Sequence, residues 1–403
     1  MDKKTKERID ALRIKSIPFG YVETPAGVLP NDWTSKSLSE ISEVISEQAG
    51  DDDYETLSIS AGIGFVNQAQ KFGKELSGKQ YEKYTVLRKG DFAYNKGNSK
   101  RYPQGCTYRL KERDEAAVPN VFECFRITEG CPEYYEQLFI NGFMSRQLTR
   151  KINHGVRDDG LLNLTFADFY STVLPVPPLA EQQKIAEVLS TCNRAIEFKQ
   201  ELITEKRKQK KWIMYLIFDE QYLMSDLTLE LSFEEVFVTH STRSHQIKTN
   251  QYESEGKYPV IDQGKRAIVA YSNDDKKAID CPDTGLIVFG DHTKELKFVD
   301  FDFVIGADGV QLISAKEDVL STEFGYYLLS SKRLPNDGYS RHFKYLKEEL
   351  YVIPDRNSQD QISSVLKTID NEICLLEEEL AALQQKKKAL MQLLLTGLVR
   401  TNN

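Results

Sequence analysis

Two stretches of this 403-residue chain repeat each other, and nothing else in the sequence restricts the fold as strongly. The first begins at Pro177-Pro178-Leu179-Ala180-Glu181-Gln182-Gln183-Lys184-Ile185 and runs to Phe218; the second begins at Ile353-Pro354 and runs to Leu395. With Gln182 laid on Gln359, a shift of 177 residues, Ile185 falls on Ile362, Val188-Leu189 on Val365-Leu366, Thr191 on Thr368, Ile196 on Ile373, Lys210-Lys211 on Lys387-Lys388 and Met214 on Met391. Each copy follows a different globular stretch, so the chain reads as two half-molecules built on one plan.

Both copies read as long helices. In the second, steps of four and three mark Ile362, Leu366, Ile369, Ile373, Leu376, Leu380, Leu383, Lys387, Leu390 and Leu394, a coiled-coil seam interrupted only by Lys387. The matching positions of the first are Ile185, Leu189, Cys192, Ile196, Lys199, Ile203, Lys206, Lys210, Ile213 and Ile217. Its three lysines can lay their stems along an apolar partner while the ammonium groups reach water. Pro177-Pro178 opens the first helix, Ser358-x-x-Gln361 has the spacing of a capping box for the second, and Gly397 closes it. A helix of about 38 residues is ~57 Å long, more than one small domain covers. Two of them lying antiparallel would hold two globular parts at opposite ends. Phe198, Leu202, Leu375 and Leu393 lie beside the stripe and give it more apolar surface than one partner helix buries.

The rest of the chain reads as two mixed α/β heads with short strands, such as Thr85–Leu87, Asp91–Tyr94, Gly285–Phe289 and Phe301–Ile305. The expected organisation is an N-terminal arm and first head at 1–176, a first spacer helix at 177–222, a second head at 223–353 and a second spacer helix at 354–403. The fold class is α/β (α+β), with the two heads separated by two long antiparallel coiled-coil helices in a pseudo-repeat. The heads share almost no detailed sequence, which suggests that they read different things. No run of 18 uncharged apolar residues and no signal peptide is present, so a soluble cytoplasmic protein is expected. Six scattered cysteines, with no C-x-x-C pair, point to small buried hydrophobes rather than zinc or disulfides.

A net charge of −8 argues against nucleic acid, but the charge is unevenly spread. Residues 40–55 hold seven acids and no base; residues 67–113 hold twelve Lys/Arg against four Asp/Glu. Arg146, Arg150, Lys151 and Arg157 follow, and the second head carries Lys332, Arg333, Arg341, Lys344 and Lys347 against Asp337. Such runs are usually solvated loops, yet here one recurs in each head, interleaved with Tyr, His and Phe, just before a long helix.

Three motifs resemble catalytic ones and fall short. Gly73-Lys-Glu-Leu-Ser-Gly78-Lys79-Gln80 lacks the hydroxyl that a phosphate loop needs after its lysine. Ala61-Gly62-Ile63-Gly64-Phe65 resembles the glycine turn of an adenosylmethionine site, but Pro177-Pro178 sits between Val176 and Leu179 and cannot position a target amine. Pro282-Asp283 with Glu295-Leu296-Lys297 fits a loose nuclease pattern that arises often by chance. The five histidines show no metal spacing.

Over essentially its whole length the chain resembles the DNA-specificity subunits of Type I restriction–modification enzymes. The resemblance rests on Pro177–Ser190, Glu205–Lys211, Lys386–Arg400 and the opening motif Gly27-Val-Leu-Pro-Asn-Asp-Trp33; the second half lacks that motif's Pro-x-x-Trp. It implies a non-catalytic subunit whose two target-recognition domains each read half of a split DNA sequence. Its helices would space those domains and bind two modification (methyltransferase) subunits. Adenosylmethionine, ATP and magnesium would belong to partner subunits, including any restriction (motor–nuclease) subunits, and no cofactor to this chain. By position, DNA contacts are expected from Lys96, Asn98, Lys100, Arg101 and Arg157 in the first head and from Lys294, Arg341, His342 and Lys344 in the second. Helix-pair and subunit contacts are expected from Ile185, Leu189, Ile196, Ile203, Ile362, Leu366, Ile373, Leu376, Leu380, Leu383 and Leu390. The alternatives are the specificity subunit of a DNA adenine methyltransferase without a nuclease partner, a DNA-modifying enzyme with its own site, and a scaffold without DNA.

Overall fold

A computed structural model describes residues 3–69, 78–97, 102–152, 162–218, 229–306, 309–335 and 340–401. The chain divides into two compact units, Met1–Phe198 with Leu380–Asn403, and Lys199–Glu379. The two repeats are continuous helices of 40 residues each, Leu179–Phe218 and Arg356–Leu395, about 60 Å long at ~1.5 Å per residue. Each contributes one part to either unit.

In the first unit the main sheet is antiparallel, with strands in the order Ser42–Val44, Glu123–Ile127, Phe92–Asn95, Cys106–Arg109. A two-stranded ribbon pairs Thr34–Ser37 with Val173–Val176, so the chain enters and leaves the head side by side. Between ribbon and sheet, the single helical turn Leu38–Ile41 is held by a capping box of Ser37 and Glu40. Phe92 and Phe125 stack at 5.3 Å with Phe139 edge-on to both, and this core continues onto Ile185 and Leu189 of the first long helix and Leu394 and Leu395 of the second.

The second unit repeats that plan with other residues. Its sheet runs Phe237–His240, Val310–Ala315, Leu286–Gly290, Leu296–Val299, again antiparallel throughout. The ribbon is Leu229–Ser232 with Leu350–Ile353, and the turn Phe233–Val236 is capped by Ser232 and Glu235. Heads without detailed sequence likeness therefore share the order of the main sheet, the ribbon and the capped turn, while their remaining strands differ. A strand of four or five residues requires only that its inward side chains be apolar, and Phe92, Tyr94 and Phe125 satisfy this as well as Ile287, Phe289 and Ile313.

Along the helices, every seam position of both copies is buried or half-buried while the intervening positions are largely exposed. Ile185, Leu189, Ile203, Leu366 and Leu394 are the most enclosed; Ile196, Ile362, Ile373, Leu376, Leu380, Leu383 and Leu390 are half-buried. The seam lysines reach acids on the other helix: Lys199 to Glu379 at 2.6 Å, Lys206 to Glu372 at 2.8 Å and Lys210 to Asp370 at 2.5 Å. Lys387 lies in the seam of the first unit, and burial holds its pKa below the ordinary lysine value.

The cap of the second long helix differs from expectation. The helix starts at Arg356, and Asp355 accepts from the Ser358 amide at 3.2 Å and from its hydroxyl at 2.6 Å. Ser358 is thus the third helical residue, and the aspartate just before the helix is the cap. Gly397 adopts φ +68°, and a Cβ there would lie 2.5 Å from Pro30, so glycine is required at that turn. Of the cysteines, Cys124 and Cys131 are buried, whereas Cys374 is exposed and Cys106, Cys192 and Cys281 are half-buried. Among the described residues no helix is long and apolar enough to cross a membrane.

Candidate nucleic-acid interface

The basic stretch of the first head is smaller than its count of lysines and arginines implies, because the sheet brings acids onto it. Arg88 meets Glu47 at 2.5 Å, Arg113 meets Glu55 at 2.5 Å, and Arg109 lies between Glu133 and Glu136 at 2.5 and 3.1 Å. Lys111 also reaches Glu136, at 2.6 Å. Glu47 and Glu55 come from the acidic run 40–55, distant in sequence and adjacent in the fold. The hydrogen bond from Arg88 holds the Glu47 carboxyl below the usual carboxylate range, and Arg113 does the same for Glu55.

Lys96 follows strand Phe92–Asn95 at the start of the hairpin to Cys106–Arg109. Two bonds hold the base of that hairpin: Tyr94 Oη donates to the Gln104 carbonyl at 2.8 Å, and the Gly97 amide donates to Asn95 Oδ1 at 2.8 Å. Gly105, at φ +76°, allows the two sides to close, since a Cβ there would be 2.5 Å from the Asn95 carbonyl. Lys96 Nζ lies 4.8 Å from the centre of the Phe166 ring, and the Lys96 carbonyl accepts from the Leu162 amide at 2.9 Å. That last bond ties the chain at Leu162 to the base of the tip. Asn98, Lys100, Arg101 and Arg157 lie outside the described residues.

The second head joins the same two elements. The carbonyl of Asp291, just beyond strand Leu286–Gly290, accepts from the His342 amide at 2.9 Å. His342 Nδ1 and the Asp291 carbonyl oxygen are 3.0 Å apart, and the Phe343 amide donates to Asp291 Oδ1 at 2.9 Å. His342 is fully buried, with Nε2 3.3 Å from Ser340 Oγ. The expectation that it contacts DNA is therefore corrected: it has no surface to offer a base and instead pins the loop to the hairpin. Its neighbours Arg341 and Lys344 are exposed. Lys294 sits at the turn with φ +64° and donates to the Pro335 carbonyl at 2.6 Å, which brings it to the same loop.

Asp291 is not legible as a site residue in the sequence, because a lone buried aspartate in a turn carries no charge-run signal. Lys297, the lysine of the nuclease-like pattern, donates to the carbonyls of Asp262 and Arg266 at 2.7 and 2.6 Å and braces that loop. In the turn that resembles an adenosylmethionine site, the Gly62 amide donates to Tyr108 Oη at 2.7 Å; burial pushes that phenol up to about 12. Gly73–Ser77 of the phosphate-loop-like stretch lies outside the described residues. No group of three or more His, Cys, Asp or Glu among the described residues could hold a metal ion.

Comparison with known proteins agrees with this architecture. Residues 30–205 match the family model of the Type I restriction modification DNA specificity domain. A protein of Methanocaldococcus jannaschii named as the type I restriction enzyme MjaX specificity subunit is 25% identical over 423 residues, covering 94% of this chain and 96% of its own. The crystal structure of a Type I restriction-modification system S subunit from M. genitalium superposes with a TM-score of 0.61 at 15% identity, over 92% of this chain and 98% of that one. A chain solved to explain complex assembly and conformational transition of the type I R-M system gives 0.53 at 16%, over 92% and 99%. With the repeated helices, the doubled main sheet and the matched domain in agreement, the chain carries a Type I restriction–modification DNA specificity domain at residues 30–205 and is similar to specificity subunits over most of its length.

Proposed function

We propose that each head is a target-recognition domain reading one half of a bipartite DNA sequence, and that the paired helices space the heads and dock two methyltransferase subunits. The carrying observation is that the same junction is built twice. In each head a hairpin tip and the loop before the last short helix are bonded backbone to backbone, Lys96 to Leu162 and Asp291 to His342. Two loops tied together and bearing Lys and Arg suit DNA, because phosphate contacts set position and neighbouring side chains then meet base edges. We assign this role to Lys96 with Asn98, Lys100, Arg101 and Arg157, and to Lys294, Arg341 and Lys344.

The helices leave Phe198 and Leu375 exposed at 67% and 60%, apolar surface suited to partner subunits. Methyl transfer, with its adenosylmethionine, and ATP-driven cleavage would then be supplied by those partners. Sequencing of methylated host DNA with the gene present and absent tests the reading, combined with exchange of residues 28–176 for the head of a relative. The expected motif is split, and the exchange alters one half only. A continuous motif, or a change in both halves, overturns it.

A further inference from the structure

We propose that Gln182 and Gln359 are positioning residues that fix the angle of each head on its own long helix and thereby set the spacing between half-sites, an inference that rests on the two-headed reading above. Both are buried, at 2% and 1% exposure, in the first turn of their helices. Gln182 Oε1 accepts from the amide of Cys131, the cap residue of helix Pro132–Ile140, at 2.8 Å, while its Nε2 donates to the Pro177 carbonyl at 2.9 Å. Gln359 Oε1 accepts from the amide of Ser321, the cap residue of helix Thr322–Ser331, at 3.1 Å, while its Nε2 donates to the carbonyls of Pro354 and Val319 at 2.9 and 3.1 Å.

One amide thus joins the same three parts in each half: the cap of the head's helix, the proline leaving the head and the long helix. Glycine clears the space in the first half, since a Cβ on Gly130 would lie 2.6 Å from Gln182 Oε1. Much of the remaining contact between head and helix is apolar, through Ile185 and Leu189 in one unit and Ile362 in the other. Apolar burial is non-directional and tolerates small tilts, whereas hydrogen bonds weaken steeply off their axis. The radius of gyration of such a head is about 13–15 Å, so a tilt of ~10° moves its outer loops by ~3 Å. That is close to one base-pair step, about 3.4 Å.

The test uses the full chain assembled with its methyltransferase subunits, once its methylated motif is known. Duplexes with the native spacer and with one base pair added or removed are compared by Kd. Gln182→Met and Gln359→Met, which keep the volume and lose the amide, should each lower the preference for the native spacer at least fivefold. Gln182→Glu keeps an acceptor for Cys131 but sets a buried carboxylate oxygen against the Pro177 carbonyl, and should lower the preference at least as far as Gln182→Met. Leu138→Ala, a cavity in the helix whose cap residue Gln182 holds, should lower Tm and leave spacer preference within twofold of wild type. Spacer preference retained in all three glutamine variants, or lost equally in Leu138→Ala, overturns the proposal. A continuous motif for the unaltered complex would instead overturn the two-headed reading.

Discussion

Arg400→Ala is the perturbation whose cost follows most directly from the structure. The Glu181 carboxylate is fully buried and carries a charge. It accepts from Arg400 Nε and Nη2, both at 2.8 Å, from Trp33 Nε1 at 2.9 Å and from the Thr401 amide at 3.3 Å; Arg400 also holds Asp32 at 2.6 Å. Removing one partner of a buried pair costs about 3–5 kcal/mol. Trp33 and Thr401 stay behind as donors and Asp32 is half exposed, which reduces the expectation to about 2–4 kcal/mol. Burial works to raise the Glu181 pKa, but the bonds from Arg400, Trp33 and Thr401 win and hold it below the ordinary value of 4.5. A depressed carboxyl pKa contributes stability that is present above the unfolded value and lost as pH falls through the folded one. The gap between wild type and variant should therefore be widest above about pH 5 and narrow in acid. Urea unfolding followed by tryptophan emission suits the question, since Trp33 is buried against Glu181 and Trp212 is exposed. Adding Glu181→Gln to Arg400→Ala removes the stranded charge and should recover stability. A loss under about 1 kcal/mol, or a double variant no more stable than Arg400→Ala alone, would refute the argument.

Leu380→Asp or Ile196→Asp puts an unpaired charge on the seam and should cost ~3 kcal/mol, with loss of assembly on size exclusion alongside the modification subunit. Lys387→Leu should have the opposite sign, raising stability by about 1 kcal/mol in urea titration, because burial already disfavours the charged amine. Arg341→Ala with Lys344→Ala should weaken discrimination in a single half-site; if both side chains touch only phosphates, affinity should fall for all sequences and the salt slope should shrink by about 0.9 per contact.

The helix pair is legible in the sequence because a period near 3.5 sustained over 40 residues leaves few alternatives, and the burial of every seam position follows that period. The heads are legible only as mixed α/β segments. Their strands are two to six residues long, and Val304–Ile305 forms just two ladder positions, too few for periodicity to show order or direction. The charge run of the second head gives no sign that His342 is buried, since a run records composition and is silent about which member turns inward. The same method overcounts free cations in the first head: Glu47 and Glu55 reach Arg88 and Arg113 only after the sheet has formed.

The ribbon at the base of each head explains how the outer loops can diverge while the helices keep one register. Thr34 pairs with Val176 and Leu229 pairs with Ile353, so each head begins and ends at adjacent points. The spans between those paired residues differ by 18 residues, yet both deliver the chain to a proline and then to a glutamine with the same bonding pattern. Loop closure depends only weakly on length, so insertions beyond the ribbon add little to its cost. The capping boxes at Ser37 and Ser232 and the glutamine clasps at 182 and 359 use polar groups at the base alone, where the two halves coincide. Hairpin tip and basic loop lie beyond that base, tied to each other by the Lys96–Leu162 and Asp291–His342 bonds. On the proposed reading, a change in the tip would alter what is read without disturbing how the head is carried, and the most informative chimaeras are those cut within the two ribbons.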